Sequence, residues 1–349
     1  MTYLSGDPPW FAFIVHPRDM ADCVSMPSGA FLRDHSESDE EFIAKVSSHP
    51  PVVVDEVVVF GTAVRGELIG VGRLPADMLT AAAHRAVVAA VELAVARGAP
   101  VVGLGALTAP VTAGGRALLR HLPPGVVLTN GNGLTAAVVR RNVLEASAFL
   151  GLGEDATVGV LGATGSVGAP LAHLLVDDGF RVLLVGPSRE RVHRLLADLV
   201  ERGAGAGAGV QELASVDIAV LLTSDPSAKL RSGILRQGTV AIDVAQPWNV
   251  EESELARFAA QGVRVVRGGA VSIPGFASGH RFGIKGRSTF ACLAETYVVA
   301  VSGLREHSVG RPSVEYARAV DAISERYDVR TCELELGPLA HTAQTGVGV

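Results

Sequence analysis

The sequence predicts an α/β protein of two domains followed by C-terminal helices. Its 349 residues are enough for two domains, each with its own hydrophobic core. From Thr157 onward, short strand and helix patterns alternate at the spacing of parallel βαβ units. The turn residues GLGED, which begin at Gly151, separate this region from the part before it. We therefore place a first α/β domain at 1–152, a Rossmann-type parallel-sheet domain at 153–285, and helices that pack between the domains at 286–349.

The first domain mixes strand and helix patterns. An acidic stretch from Asp34 to Phe42 is typical of a solvated loop that enters a helix. The β-branched runs after Pro51 predict strands joined by a tight turn near Gly66. The remaining elements are a strand at Phe11–Val15, a helix at Pro75–Arg97, a strand at Val101–Leu107 and a helix at Leu134–Leu150.

Five buried strands are predicted in the second domain, with the sequences VGVLG, RVLLVG, DIAVLLTS, TVAIDVA and VRVVRGG. The repeat GAGAGAG at Gly203–Gly209 predicts a mobile surface loop. Two further helices follow, an apolar one with the sequence FACLAETYVVAVSGL and an amphipathic one at Val314–Tyr327.

Composition excludes several classes of protein. The chain has 30 Lys and Arg against 36 Asp and Glu, a net charge of −6, so no nucleic-acid partner is expected. Three widely spaced cysteines support neither a disulfide framework nor a metal site. The N-terminus lacks a basic signal region, and charges interrupt the most apolar stretches, so we expect no transmembrane segment and a cytoplasmic protein.

A glycine-rich turn predicts a dinucleotide site. Gly162, Gly165 and Gly168 follow a buried strand and open a helix, where glycines let the backbone approach a pyrophosphate and the helix N-terminus favours its charge. The spacing is G-x-x-G-x-x-G. The residues predicted to bind the cofactor here are Gly162, Thr164, Gly165, Ser166, Val167 and Gly168.

The end of the next strand indicates which dinucleotide binds. Ser188, Arg189 and Arg191 stand where an NAD enzyme places an acid, and their donors and charge suit a 2′-phosphate, so we expect NADPH. Four more residues lie at carboxyl ends of strands, where the nicotinamide end belongs: Thr223, Ser224, Gly268 and Gly269.

Cys292 is the candidate nucleophile. If Ser288 caps a helix that begins at Thr289, the cysteine lies in the first turn, where the helix dipole favours thiolate. Glu295 would share its face and oppose thiolate formation, or bind a polar substrate group, position a water molecule or simply be solvated. The alternative interpretation is a buried core cysteine.

Several motifs carry a family resemblance across most of the chain. They are VDEVVV, RLPADML, GLGALT, NGNGLTA, VLGATGSVG, AIDVAQP, RGGAV and FACLAE. In this order they resemble the acyl-[acyl-carrier-protein] reductases of cyanobacterial alkane biosynthesis, which reduce a carrier-bound acyl thioester to an aldehyde with NADPH. The resemblance implies that Cys292 accepts the acyl group. It also implies an acyl carrier protein or coenzyme A thioester as substrate, and a downstream aldehyde-consuming enzyme as a possible partner.

A reaction of this kind needs further groups. The oxyanion of the tetrahedral steps requires donors, for which backbone N–H groups at the helix start, His280 or Lys285 are candidates. His280 is also the candidate acid for the leaving thiolate. The residues predicted to line the substrate pocket are His16, Gly105, Thr108, Asn130 and Asn132.

Two other functions stay open. A shikimate-dehydrogenase-like oxidoreductase without covalent catalysis would need a Lys and Asp pair from the first domain, which offers only Lys45. A non-catalytic NADPH sensor would use the glycine turn alone. For an acidic carrier protein, two pairs of arginines are candidates for a basic docking patch, and the alternative is that they are ordinary solvated arginines. These pairs are Arg116 with Arg120 and Arg140 with Arg141.

Overall fold

The computed structural model describes residues 9–207, 209–225, 229–279 and 287–337. Two six-stranded sheets form the body of the protein, and a three-stranded sheet joins its C-terminal part. The predicted two-domain α/β class is confirmed. No helix in the described ranges has the length and apolar character needed to cross a membrane.

The first sheet is built mainly from the N-terminal part of the chain. Its first five strands are β1 (Phe11–Val15), β2 (Val52–Val59), β3 (Arg65–Gly70), β4 (Val101–Leu104) and β5 (Val127–Thr129). The helices of this part are α1 (Met20–Ser25), α2 (Gly29–Asp34), α3 (Asp39–Ser48), α4 (Ala81–Ala96) and α5 (Asn132–Leu150). Strands β3, β1, β4 and β5 lie side by side in parallel, and β2 pairs antiparallel with β3.

The second sheet is entirely parallel. Its strands are β6 (Thr157–Leu161), β7 (Arg181–Val185), β8 (Ala204–Ala206), β9 (Ile218–Leu221), β10 (Val240–Asp243) and β11 (Arg264–Arg267). Its helices are α6 (Gly168–Asp177), α7 (Arg189–Leu199) and α8 (Glu252–Ala260). The spatial order β8-β7-β6-β9-β10-β11 is the doubly wound arrangement in which ligands bind outside the carboxyl ends of the strands, where the order reverses between β6 and β9.

The C-terminal part returns to the first sheet. It contains β12 (Ala270–Ser272), β13 (Phe276–Ser278), β14 (Ser288–Phe290), α9 (Ala291–Ser302), α10 (Val314–Arg326) and β15 (Arg330–Thr331). Strand β13 pairs antiparallel with β2, and α9 packs on β1, β4 and α5. The chain therefore re-enters the first sheet before residue 285, the boundary predicted from the sequence. Helix α10 contacts both α5 and α6.

Three local predictions are wrong. The turn between β2 and β3 lies at residues 60–64, because Gly66 is inside β3, where a side chain would overlap the Phe11 ring. Part of the glycine-alanine repeat forms β8, since an edge strand needs only backbone hydrogen bonds to β7. Helix α9 begins at Ala291, because Ser288 to Phe290 are held as a strand by pairing with β12.

Candidate active site

A cavity of about 740 Å³ lies between the two main sheets and holds most of the predicted site. Residues from both domains line it, so the site exists only where the domains meet. The predicted residues among them are His16, Gly105, Asn130, Asn132, Thr164, Gly165, Ser166, Val167, Arg191, Thr223, Ser224, Gly268, Gly269 and Cys292. His280 and Lys285 lie outside the described residues.

The turn between β6 and α6 is a tight turn shaped by glycines. Gly162 has φ of +92°, a conformation that favours glycine, and its carbonyl accepts the Gly165 N–H at 2.9 Å. A side chain at Gly168 would overlap that same carbonyl. Gly162 and Gly168 therefore shape the turn without lining the cavity, whereas Gly165, Ser166 and Val167 line it.

The residues predicted to bind a 2′-phosphate separate into two groups. Ser188 caps α7, and its Oγ accepts the Arg191 N–H at 3.3 Å. Arg189 is exposed, and neither Ser188 nor Arg189 lines the cavity. Arg191 does line it and donates to the Thr164 carbonyl at 3.0 Å. Of the three, the structure brings only Arg191 to the site.

Cys292 is the second residue of α9 and opens on the cavity. Gly131, with φ of +71°, lies directly against it, and a side chain there would overlap Cα and Cβ of Cys292. The backbone N–H groups of Ala106 and Leu293 donate toward its sulfur. Ala106 itself has φ of +46°, an unusual conformation for alanine, so this donor is held under backbone strain.

The expected thiolate is not favoured in this environment. Burial, with a smaller contribution from the charge of Glu295, raises the pKa of Cys292 from 9.0 to about 12. The N–H donors oppose this rise but do not outweigh it. The N–H groups of the helix start thus act in the direction expected from the sequence, but burial has the larger effect on the pKa of Cys292.

Glu295 is fully buried and does not line the cavity. Its carboxyl group accepts the Leu134 N–H at 2.7 Å, the Tyr316 hydroxyl at 3.2 Å and the Thr129 hydroxyl. Burial raises its pKa, and these donors act against the rise. Of the roles considered from the sequence, opposition to thiolate formation agrees with its effect on the pKa of Cys292, whereas substrate binding, water positioning and solvation do not fit a side chain enclosed in this way. Glu295 instead joins α9 to the first turn of α5.

Two asparagines connect the domains beside Cys292. Asn130 donates to the carbonyls of Gly114 and Gly310, and its Oδ1 accepts the Asn132 N–H at 3.1 Å. The Asn132 amide in turn donates to Ser166 Oγ at 2.9 Å, across the domain boundary. Both side chains thus use at least part of their hydrogen-bonding capacity to hold the walls of the cavity.

Thr108 and His16 are held by the protein itself. Thr108 is fully buried, does not line the cavity and donates to the Gly105 carbonyl at 2.7 Å. The His16 ring contacts the Pro17 carbonyl at 2.8 Å through Nδ1, and Nε2 accepts the Leu107 N–H at 3.4 Å. Burial lowers the pKa of His16, so a neutral ring protonated on Nδ1 satisfies both contacts. His16 therefore forms part of the pocket wall.

The carboxyl end of β11 meets the cysteine helix directly. Gly268 and Gly269 follow β11, and the Ala291 N–H donates to the Gly269 carbonyl at 3.0 Å. Ala291 immediately precedes Cys292. One hydrogen bond from Ala291 to Gly269 and the peptide bond from Ala291 to Cys292 therefore connect the end of β11 to the predicted nucleophile.

The basic pairs and the other cysteines have simpler environments. Arg140 pairs with Asp178 at 2.5 Å, and Arg141 pairs with Asp321 and Glu325, so neither offers a free charge for docking. Arg116 lines the cavity, and Arg120 contacts the His121 ring. Cys23 is buried in α1, and Cys332 is half-buried after β15. No group of three His, Cys, Asp or Glu residues in the described ranges is arranged to hold a metal.

The sequence missed Arg311, which lines the cavity and donates to the Thr164 carbonyl at 2.9 Å. Its position in the connection between α9 and α10 gave no local signal, because its neighbours in space come from distant parts of the chain. The alternative dehydrogenase site is absent from the described cavity wall, where no lysine or aspartate occurs. Lys45 lies in α3 and pairs with Glu41 at 2.7 Å.

No family model matches the chain. A curated relative, Aminotransferase PigE from Serratia sp. (strain ATCC 39006), is 27% identical in an alignment of 290 positions that covers 77% of this chain and 31% of that protein. The chain thus spans about a third of the length of the curated relative it matches. Among solved structures, L-tryptophan dehydrogenase from Nostoc punctiforme is 13% identical, over 91% of this chain and 80% of that one, with a TM-score of 0.42. A thermostable alcohol dehydrogenase from Pyrobaculum aerophilum is 22% identical, over 39% of each chain, with a TM-score of 0.30.

Proposed function

We propose that this chain is an NADPH-dependent oxidoreductase that reduces a carrier-bound acyl thioester to an aldehyde through an acyl group on Cys292. The observation that carries the proposal is the direct contact between the nicotinamide end of the second sheet and the helix of Cys292, through Ala291 and Gly269. A covalently held acyl group and a hydride donor must meet in such an enzyme. The substrate is the thioester of an acyl carrier protein or of coenzyme A.

The cavity has residues for each part of the cofactor. The turn at Gly165–Val167 would hold the pyrophosphate at the start of α6, and Arg191 would contact the adenosine end. Thr223 and Gly269 line the wall where the nicotinamide end belongs. NADPH supplies the hydride that converts the acyl thioester on Cys292 to an aldehyde.

The acyl transfer must start from a neutral thiol. The Cys292 sulfur forms a bond to the thioester carbonyl carbon, the bond from that carbon to the carrier sulfur breaks, and the proton of Cys292 passes to the carrier thiol. Since the pKa of Cys292 is about 12, we expect proton loss and attack to be coupled. The N–H groups of Ala106 and Leu293 are placed to stabilise negative charge as it develops on the Cys292 sulfur.

The test uses acyl-coenzyme A with and without NADPH. Without NADPH, we expect one acyl adduct per chain on the peptide that contains Cys292, found by mass spectrometry. With NADPH, we expect cofactor oxidation at 340 nm and an aldehyde that a hydrazine reagent traps. Cys292→Ala should abolish both, whereas Cys332→Ala, a half-buried cysteine outside the cavity, is the matched control. Aldehyde formation by Cys292→Ala at the normal rate would refute the covalent route.

The aldehyde also needs an enzyme that consumes it, because free aldehydes react with amines. The curated relative is named an aminotransferase, and an aminotransferase acts on a carbonyl group. This name supports amination as the next step. A coupled assay without the hydrazine reagent should show a purified aminotransferase converting the released aldehyde to an amine, and an aldehyde that this aminotransferase leaves unchanged would contradict this step.

A further inference from the structure

Three arginines from distant parts of the chain meet at one end of the cavity. Arg191 belongs to the first turn of α7, and Arg311 precedes α10; both donate to the Thr164 carbonyl, at 3.0 and 2.9 Å. Arg116 lies in a short 3₁₀ helix of the first domain, with its guanidinium against the backbone of Gly310. All three line the cavity. The cluster therefore joins the second domain, the first domain and the C-terminal connection.

The charge of this cluster is not balanced by protein. No carboxylate in the described ranges lies within 4.0 Å of any of the three guanidinium groups, whereas Arg140 and Arg141 both have acidic partners. The pKa of Arg311 is lowered by burial and then by the charges of Arg191 and Arg116. Like charges held together are unfavourable unless an anion binds among them. The arrangement thus favours a bound anion.

The position of the cluster identifies the anion. Thr164 belongs to the turn after β6, and Arg191 follows β7, the neighbouring strand. In a doubly wound sheet the ribose of the adenosine half lies at the end of this second strand. We propose that Arg116, Arg191 and Arg311 together bind a phosphate monoester, the 2′-phosphate of NADPH, so that both domains hold the adenosine end of the cofactor. This inference rests on the proposed function only for the use of a dinucleotide.

Guanidinium groups suit this task because their donors match phosphate oxygens in pairs. The Thr164 carbonyl orients two of them before the ligand arrives, which reduces the ordering cost of binding. A second phosphate monoester is present in the proposed reaction, the 3′-phosphate of coenzyme A. The two sources have the same chemistry at the phosphate and are separated by the choice of ligands.

The experiment measures dissociation constants by calorimetry for NADPH, NADH, 2′,5′-ADP, coenzyme A and 3′-dephospho-coenzyme A. Arg311→Ala and Arg116→Ala should each weaken NADPH and 2′,5′-ADP roughly ten- to hundredfold, the range for one charge-assisted contact. Both variants should change the dissociation constant of NADH by less than about twofold. Arg120→Ala, an exposed arginine of the same 3₁₀ helix, is the matched control and should leave all constants unchanged. Thermal unfolding of each variant verifies that it is folded.

Two results would overturn the proposal. Equal losses for NADPH and NADH would show that the cluster does not contact the 2′-phosphate. If the substitutions weakened only the binding of coenzyme A, and not that of 3′-dephospho-coenzyme A or 2′,5′-ADP, the cluster would bind the 3′-phosphate of coenzyme A instead. A protein that binds NADPH through this cluster and yet reduces no thioester would refute the proposed function while leaving the phosphate site intact.

Discussion

Helix α5 has a glycine at each end, and the two provide a matched pair of substitutions. Gly131 precedes the helix with φ of +71°, and Gly151 follows it with φ of +70°. Their backbones are thus nearly identical. Their surroundings differ, because Gly131 lies against Cα and Cβ of Cys292 and Gly151 has no atom within 4 Å of the position a side chain would take. Alanine at either position measures the cost of the left-handed backbone conformation. Alanine at Gly131 also measures the cost of the close contact with Cys292.

The magnitudes follow from these surroundings. A left-handed conformation costs alanine about 1–2 kcal/mol, which is the whole expected loss for Gly151→Ala. Gly131→Ala carries the same cost and must also displace the backbone of α9, for which overpacking adds about 1–3 kcal/mol. The expected total for Gly131→Ala is about 2–5 kcal/mol. The loss at Gly131 should therefore exceed the loss at Gly151.

Urea unfolding of both variants measures the two free energies, and alkylation of Cys292 by iodoacetamide measures the local displacement. We expect Gly131→Ala to change the alkylation rate and Gly151→Ala to leave it as in the unmodified protein. Equal free energies of unfolding for the two variants, together with equal alkylation rates, would refute the close contact between Gly131 and Cys292.

The remaining predictions concern titratable groups. Alkylation of Cys292 should accelerate about tenfold per pH unit from pH 7 to pH 10, because its pKa is about 12; a plateau near pH 9 would contradict this value. Glu295→Gln should lower the pKa of Cys292, since the charge of Glu295 raises it, and an unchanged rate of Cys292 alkylation at pH 8 would contradict this coupling. The same substitution should destabilise the protein by about 1–3 kcal/mol, because one donor to the carboxyl group loses its acceptor. His16 has a lowered pKa in the folded protein, so the unfolded chain takes up the proton first as the pH falls. The contribution of neutral His16 to the free energy of unfolding is complete above about pH 6.5, and it is lost as the pH falls through the pKa of His16 in the folded protein. His16→Gln should therefore lose less stability than the unmodified protein between pH 7 and pH 5, as measured by urea unfolding, and identical losses would exclude His16 as a source.

Short-range patterns carried most of the successful predictions. The glycines at 162, 165 and 168 act within one turn, so their spacing after a buried strand is enough to indicate the turn's shape. The environment of Cys292 depends on contacts of α9 with α5. Leu134 and Glu295, which join these helices, are 161 positions apart in the chain, and no local pattern reports burial of that kind. Ser188 shows a third case, in which a polar residue with two possible roles is used to cap its own helix.

The return of β13 to the first sheet determines the order in which the protein can be completed during synthesis. When residues 1–152 have left the ribosome, the edge of β2 still lacks its partner and the face of β1 and β4 still lacks α9. Those surfaces are covered only after the whole second domain has been made. The second domain is continuous from β6 to β11 and has its own core, so it can close first although it is translated later. The nascent first domain consequently exposes a strand edge and apolar surface for the time needed to translate more than one hundred residues, which is the interval in which a chaperone would act on this chain.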